Sequence, residues 1–262
     1  MIFTIANKKG GVGKTTVTQN LAAGLVRAGY SVLAIDLDEQ ANLSQSFGLQ
    51  ADIKENIFNV LEGIENGSGE PSLQDILFRI TDGPHLIPSG PGMEKIDVRF
   101  SSAIGRERLL KKALKPIRGN YDVILLDAPP SFNLATQNAL FISDFVLIPV
   151  LAEYLPVKGI GIFIDNVKRF IDQAELDSLS IGGIILNQPK PRTHLGRDLM
   201  EVLNDEFKEI LFKTVIRQNI ALSEAQAMGK DIFSYDESRE RTTNGARDFE
   251  ALTNEVIKRF AS

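Results

Sequence analysis

The segment Lys8-Lys9-Gly10-Gly11-Val12-Gly13-Lys14-Thr15-Thr16 stands between a short apolar run, Ile2–Ala6, and an amphipathic stretch, Lys14–Ala28. In that stretch Val17, Leu21 and Leu25 recur one helical turn apart, and Gly29 marks its end. A glycine turn between strand and helix lets successive backbone N–H groups point at one anion, and the helix N-terminus adds a favourable dipole. Lys14 is then placed to neutralise β- and γ-phosphates, and the Thr15 hydroxyl to bind Mg²⁺. The pattern G-x-x-x-x-G-K-[ST] is nearly met, with Lys8 where its first glycine would fall. An ordinary glycine-rich turn with a surface lysine accounts for the glycines alone, but not for GGVGKTT between strand and helix.

The rest of the chain repeats the alternation. Ser31–Ile35, Tyr121–Leu126, Phe145–Val150 and Ile181–Leu186 are apolar runs, and His85–Pro88 is a weaker one. Arg106–Arg118, Val157–Gln173, Leu195–Phe207 and Gly245–Phe260 read as helices. Strands apolar on both faces, alternating with helices, predict an α/β fold with a predominantly parallel twisted sheet and helices on both faces. Ligands of such sheets sit beyond the carboxyl ends of the strands. Gly10, Asp36, Asp127 and Asn187 each follow an apolar run and should meet in one crevice. Glu62–Pro71 and Asp236–Asn244 read as surface loops, and the expected organisation is one domain over residues 1–262.

Composition narrows the chemistry. The 262 residues are 43% hydrophobic and 24% charged, enough for a sizeable core. The net charge of −5 excludes a histone-like binder held to DNA by bulk charge, though not a local basic face. With no cysteine, disulfides, cysteine nucleophiles and iron–sulfur ligation are excluded, and two histidines leave little for a histidine metal site. No apolar run approaches about 18 residues, and Met1 leads straight into the first strand without a basic signal region. A soluble, intracellular enzyme or switch is expected.

The segment with Lys9 ahead of the glycines resembles the deviant Walker A motif of the ParA/MinD family of ATPases. Ala34-Ile35-Asp36-Leu37-Asp38-Glu39-Gln40-Ala41-Asn42 resembles that family's switch I segment, and residues 121–131 (YDVILLDAPPS) its Walker B strand and switch II. Phe145–Val150 is similar to the family's V-L-I-P-V strand. Leu222-Ser223-Glu224-Ala225 and Tyr235-Asp236 resemble its C-terminal signatures. Within the family the resemblance is to the short ParA/Soj type, without an N-terminal helix-turn-helix domain.

The resemblance implies ATP and Mg²⁺ as cofactors and ATP hydrolysis as the activity. Lys9, Gly10, Gly11, Val12, Gly13, Lys14, Thr15 and Thr16 would cradle the phosphates, and Asn187 would contact adenine. Thr15 would ligate Mg²⁺ directly, with Asp127 as a carboxylate one water removed. Asp38 would orient the attacking water, and Asp36 would share that role or reach Mg²⁺ through water. Without the resemblance, Asp36 and Asp38 read equally as a solvated acidic loop, and Lys9 as an exposed lysine beside Lys8. By resemblance Lys9 reaches the nucleotide of a second subunit, which makes a homodimer depend on ATP. That dimer would bind DNA without sequence preference, and a ParB-type partner would stimulate hydrolysis and release it. The implied location is the cytoplasm, at the nucleoid.

The DNA face is less defined. Arg99–Arg118 holds seven basic residues and one acid, which also describes the solvated side of an amphipathic helix. Residues 187–262 hold 12 basic and 13 acidic residues, so charge does not concentrate there. Arg192, Arg217, Arg239, Arg241 and Arg247 are the expected phosphate contacts, with Lys190 and Lys213 beside them. Where the family often has I-P-R-N, the chain has Ile216-Arg217-Gln218-Asn219, and Glu39 stands where proline is usual. Rival readings are ParA-like positioning of other cargo, a MinD-like membrane ATPase, and a metabolic ligase of the same superfamily. The membrane rival would need a C-terminal amphipathic anchor, whereas Val256, Ile257 and Phe260 read as the packed face of a domain helix.

Overall fold

The computed structural model describes residues 1–50, 53–151, 156–189 and 194–260. Eight strands form one sheet: β1 (Ile2–Ile5), β2 (Val32–Asp36), β3 (Phe78–Arg79), β4 (His85–Ile87), β5 (Val123–Asp127), β6 (Phe145–Leu151), β7 (Ser180–Asn187) and β8 (Leu211–Ile216). Their order is β3-β4-β2-β5-β1-β6-β7-β8, parallel throughout except for β3 against β4. The three central strands β1, β2 and β5 are buried at every position, as sheets covered on both faces require.

The helices are α1 (Lys14–Arg27), α2 (Asn42–Ser46), α3 (Ile57–Asn66), α4 (Ile96–Arg99), α5 (Leu109–Leu114), α6 (Leu134–Ile142), α7 (Pro156–Ala174), α8 (His194–Phe207), α9 (Ile220–Ala227), α10 (Ile232–Glu237) and α11 (Asn244–Phe260). On one face of the sheet, Val17, Leu21 and Leu25 of α1 share a core with Tyr235 of α10 and Phe249, Leu252 and Val256 of α11. On the other face, Ile57, Val60 and Leu61 of α3 pack with Leu109 and Leu110 of α5 and Leu134 and Ala135 of α6. A third cluster seats Ile160, Phe163 and Val167 of α7 on β6 and β7.

The expected fold class holds, and several boundaries change. Glu62–Pro71 is not one loop, because α3 runs through Asn66 before Gly67 turns left-handed at φ 80°. Asn56 starts that helix with a reciprocal cap, accepting from Phe58 N while Asn59 accepts from Asn56 N. Arg106–Arg118 yields a 3₁₀ turn and only the short α5, with Pro116 two residues beyond its end. Asp236–Asn244 is a loop only between the last residue of α10, Glu237, and the first of α11, Asn244.

At the carboxyl edge of the sheet, β1 leads into the glycine turn, β2 ends at Asp36, β5 at Asp127 and β7 at Asn187. Asp36 and Asp127 are register partners, and so are Ile5 and Asp127. Parallel pairing therefore brings three sequence-distant strand ends to one place, with α1 starting directly above them.

Candidate functional site

The turn between β1 and α1 is held open from behind. Asn7 donates Nδ2 to Pro149 O at 2.8 Å and accepts Lys9 N at Oδ1 at 3.0 Å. Gly11 and Gly13 adopt φ of 70° and 90°, a region that costs other L-residues strain. A Cβ on Gly13 would lie 2.5 Å from Asn187 Nδ2, so glycine is also needed there for close approach. Cβ atoms on Gly10 and Gly11 would meet nothing within 4 Å, so these two line open space. Gly13 is the N-cap of α1 and offers no side-chain oxygen to its first N–H groups, which leaves them for an anion.

Lys14 is buried, and its Nζ donates to Lys9 O at 3.5 Å. Burial lowers its pKa, opposed by the charges of Asp127 and Asp38. Thr15 Oγ1 donates to Asp127 Oδ2 at 2.7 Å, and Thr18 Oγ1 lies 3.2 Å from Asp127 Oδ1. Asp127 is pushed up to about 8, first by burial and then by the charge of Asp36. A cation at this position would drive that proton off.

Asp36, expected to share the water-orienting role or to reach Mg²⁺ through water, accepts hydrogen bonds at both oxygens. Its Oδ2 accepts Ser44 N and Ser44 Oγ, each at 2.8 Å, and its Oδ1 accepts Asp38 N at 3.1 Å. The fully buried carboxyl is thereby committed to anchoring the residues 38–44 turn, with its pKa pushed up to about 6 by burial. Asp38 is 6% exposed, lines the cleft, and accepts Gln40 N at Oδ1.

Two cavities meet at the turn. One, about 970 Å³, is lined by Gly10, Lys14, Thr15, Asp38 and Pro130 and extends along α2 to Met228 at the end of α9. The other, about 340 Å³, is lined by Asn187, Gln188, Arg217, Gln218, Asn219 and Ser223. Gly11, Gly13, Thr16 and Gln226 border both. Asn187 Nδ2 donates to Val12 O at 2.6 Å, while its buried Oδ1 has no hydrogen-bond partner. A buried acceptor of that kind calls for an N–H donor, which adenine's exocyclic amine supplies.

Sequence reasoning did not single out Ser44, Thr18, Gln188 or Gln226, and it noted Gln218 and Asn219 only as part of a departure from the family pattern. Gln226 donates to Thr16 Oγ1 at 3.1 Å, and its place one residue after the Leu222–Ala225 signature was the available clue. Among the expected DNA contacts, Arg217 is bound to Asp248 by Nε at 3.0 Å and Nη2 at 2.5 Å. The guanidinium carbons of Arg239 and Arg241 lie 4.5 and 5.2 Å from the Tyr235 ring centroid, and Arg247 is exposed on α11. Arg192 and Lys190 lie outside the described residues.

A triphosphate and Mg²⁺ fit these groups. The donor set is a glycine cradle, a buried ammonium, one hydroxyl and a carboxylate behind it. Among the described residues no three His, Asp or Glu side chains gather as a ligand set. The Thr15 hydroxyl with the Asp127 carboxylate behind it suits Mg²⁺, which draws most of its ligands from phosphates and water. The fold and site thus define a nucleotide-binding P-loop protein.

The AAA domain family matches residues 1–181. The sporulation initiation inhibitor protein Soj of Bacillus subtilis is 35% identical over 257 residues, covering 97% of both chains. Among solved structures, cobyrinic acid a,c-diamide synthase of Mycobacterium smegmatis with bound ADP and magnesium superposes with a TM-score of 0.83 at 25% identity. That match covers 100% of this chain and 95% of the other. A plasmid partition protein of Borrelia burgdorferi bound to AMPPNP gives 0.79 at 25% identity, covering 99% of each. The chain belongs to the ParA/Soj family of P-loop ATPases, with ATP and Mg²⁺ as its cofactors.

Proposed function

We propose that this protein is an ATP-switched dimer that binds DNA without sequence preference and partitions it. A ParB-type partner stimulates hydrolysis and releases the dimer. The observation that carries the reading is the assembly of Lys14, Thr15 and Asp38 around one cleft, with Asp127 hydrogen-bonded to Thr15 behind it. When bound, Mg·ATP supplies the transferable γ-phosphoryl group and a metal to neutralise its charge.

The chain's own residues divide the remaining work. Residues 10–13 and Lys14 hold the phosphates, Thr15 is the metal ligand, and Asp127 orients it from behind. Asp38 holds the attacking water and takes its proton, on a turn that Asp36 fixes through Ser44. Lys9 grips the phosphates of a second subunit. A further feature supports a second copy on that side. Lys8 and Lys9 border an apolar hollow of about 310 Å³ lined by Val150, Ile160 and Ile162, and Ile162 is 55% exposed. The exposed guanidinium groups of Arg239, Arg241 and Arg247 are the proposed phosphate contacts, at the nucleoid in the cytoplasm.

The test is DNA binding and oligomeric state with ATP, ADP or no nucleotide, in wild type, Lys14→Ala, Lys9→Ala and Asp38→Ala. Lys14→Ala loses nucleotide, Lys9→Ala keeps nucleotide but loses the dimer, and Asp38→Ala stays a DNA-bound dimer that hydrolyses poorly. Equal DNA affinity in all three nucleotide conditions contradicts the switch.

A further inference from the structure

The smaller cavity at the glycine turn contains one charged side chain among its lining residues, and that side chain is already neutralised. Arg217 follows β8 directly, where β8 pairs with β7 at Asn187 and Ile216. Its backbone N donates to Asp248 Oδ2 at 2.9 Å, its Nε lies 3.0 Å from both carboxylate oxygens, and its Nη2 donates to Oδ1 at 2.5 Å. The Asp248 side chain is 9% exposed, whereas that of Arg217 is 49% exposed. One edge of the guanidinium is therefore spent on a buried carboxylate, and the side chain still borders the cavity.

A guanidinium held this way is a poor point charge for a phosphate, because Asp248 cancels it at contact distance. It is a good planar surface, because three hydrogen bonds fix its orientation and a guanidinium stacks on aromatic rings. Around it the lining is mostly amide, hydroxyl and backbone groups: Asn187, Gln188, Gln218, Asn219 and Ser223. Such a set suits a flat heteroaromatic ring with polar edges, and Asn187 Oδ1 supplies an unpaired acceptor in the same space.

We propose that Arg217 stacks on the nucleobase, with Asp248 as the positioning residue that sets its angle. The proposal deepens the assignment of this cavity to ATP and rests on it. It also reassigns Arg217, which sequence placed on the DNA face.

The experiment titrates Mg·ATP and Mg·tripolyphosphate, which lacks a base, into wild type, Arg217→Ala, Arg217→Lys and Asp248→Asn by calorimetry. Thermal unfolding is recorded for each protein. Arg217→Ala and Arg217→Lys are expected to bind Mg·ATP about tenfold more weakly while binding tripolyphosphate as wild type does. Asp248→Asn loosens the guanidinium and weakens Mg·ATP alone, by a smaller factor. Lysine keeps the charge and pairs with Asp248, so a folded Arg217→Lys is available should alanine unfold the β8–α11 junction. Wild-type ATP affinity in Arg217→Lys, or equal losses for both ligands, overturns the proposal. A wild-type protein that binds neither ligand defeats the ATP assignment itself, which is a separate result.

Discussion

The carboxyl groups of Asp36 and Asp127 lie side by side, because the two residues are register partners at the ends of β2 and β5 and both are buried. Burial is the first cause that raises each, and the charge of Asp36 adds to the rise at Asp127. The folded values, about 6 for Asp36 and about 8 for Asp127, exceed the unfolded 3.8. Between about pH 4 and pH 8 the folded chain then holds protons that the unfolded chain has released. Stability from this pair is full at low pH and is lost as pH rises through those two values. The nucleotide-free protein should melt at lower temperature at about pH 8 than at about pH 6, and Asp127→Asn should flatten that part of the profile. A wild-type melting temperature that climbs across this interval would contradict the burial argument.

Gly13→Ala tests the cradle. At φ 90° an alanine is strained by about 1–2 kcal/mol. Its Cβ would also displace Asn187 Nδ2 from Val12 O, disturbing both cavities together. Mg·ATP affinity should fall at least about tenfold, a factor worth about 1.4 kcal/mol, with only a few degrees lost in thermal unfolding. Titration of the folded variant with unchanged affinity would show that the turn adapts.

Gly229→Ala tests how the catalytic turn is braced. The new Cβ would sit 2.7 Å from Gly48 Cα, so backbone must move, and Gly229 has φ 66°. Gln19 Nε2 spans the same junction, donating to Ser46 O at 2.5 Å and to Lys230 O at 3.1 Å. Ser44, two residues before Ser46, holds Asp36. The substitution should cost about 2–3 kcal/mol, or roughly 5–10 °C in melting temperature. ATP turnover should fall more than ATP affinity. Equal losses in both would place the effect in the whole cleft rather than at Asp38.

Sequence carried the central strands because burial on both faces leaves an unbroken apolar run, as in Val123–Leu126, ended by a carboxylate. It carried the glycine turn because residue types and spacing express its chemistry. The α6 helix escaped because Leu134–Ile142 is buried on almost every side, with Thr136 and Asn138 among its buried residues, so apolar and polar positions do not alternate with a helical period. The β8 strand escaped because it is an edge strand carrying Lys213 and Thr214, whose N–H groups are taken by Glu255 from α11. The loop reading of Glu62–Pro71 weighed glycine and acid content, while the buried Val60 and Leu61 just upstream decide the helix. No local pattern joins Arg217 to Asp248, 31 residues on, so a phosphate contact and a paired guanidinium looked alike.

Tyr235 and Glu224 give the last prediction, since they join the two C-terminal signature segments. Tyr235 is fully buried and donates its hydroxyl to Glu224 Oε2 at 2.5 Å, while Arg239 and Arg241 lie against its ring. Tyr235→Phe keeps the ring and both cation–π contacts and loses one hydrogen bond to a charged acceptor. Glu224 is 45% exposed in its side chain, so water can take over part of that bond. The cost should be about 1 kcal/mol, or about 2–4 °C, with DNA affinity unchanged. Tyr235→Ala removes the ring that seats both arginines and opens a cavity under α10, costing about 3–5 kcal/mol. If Arg239 and Arg241 contact DNA from this platform, the alanine variant should lose DNA affinity at a temperature where it remains folded, and the phenylalanine variant should not. Loss of DNA binding in Tyr235→Phe would instead assign the contact to the Tyr235–Glu224 bond, against the platform.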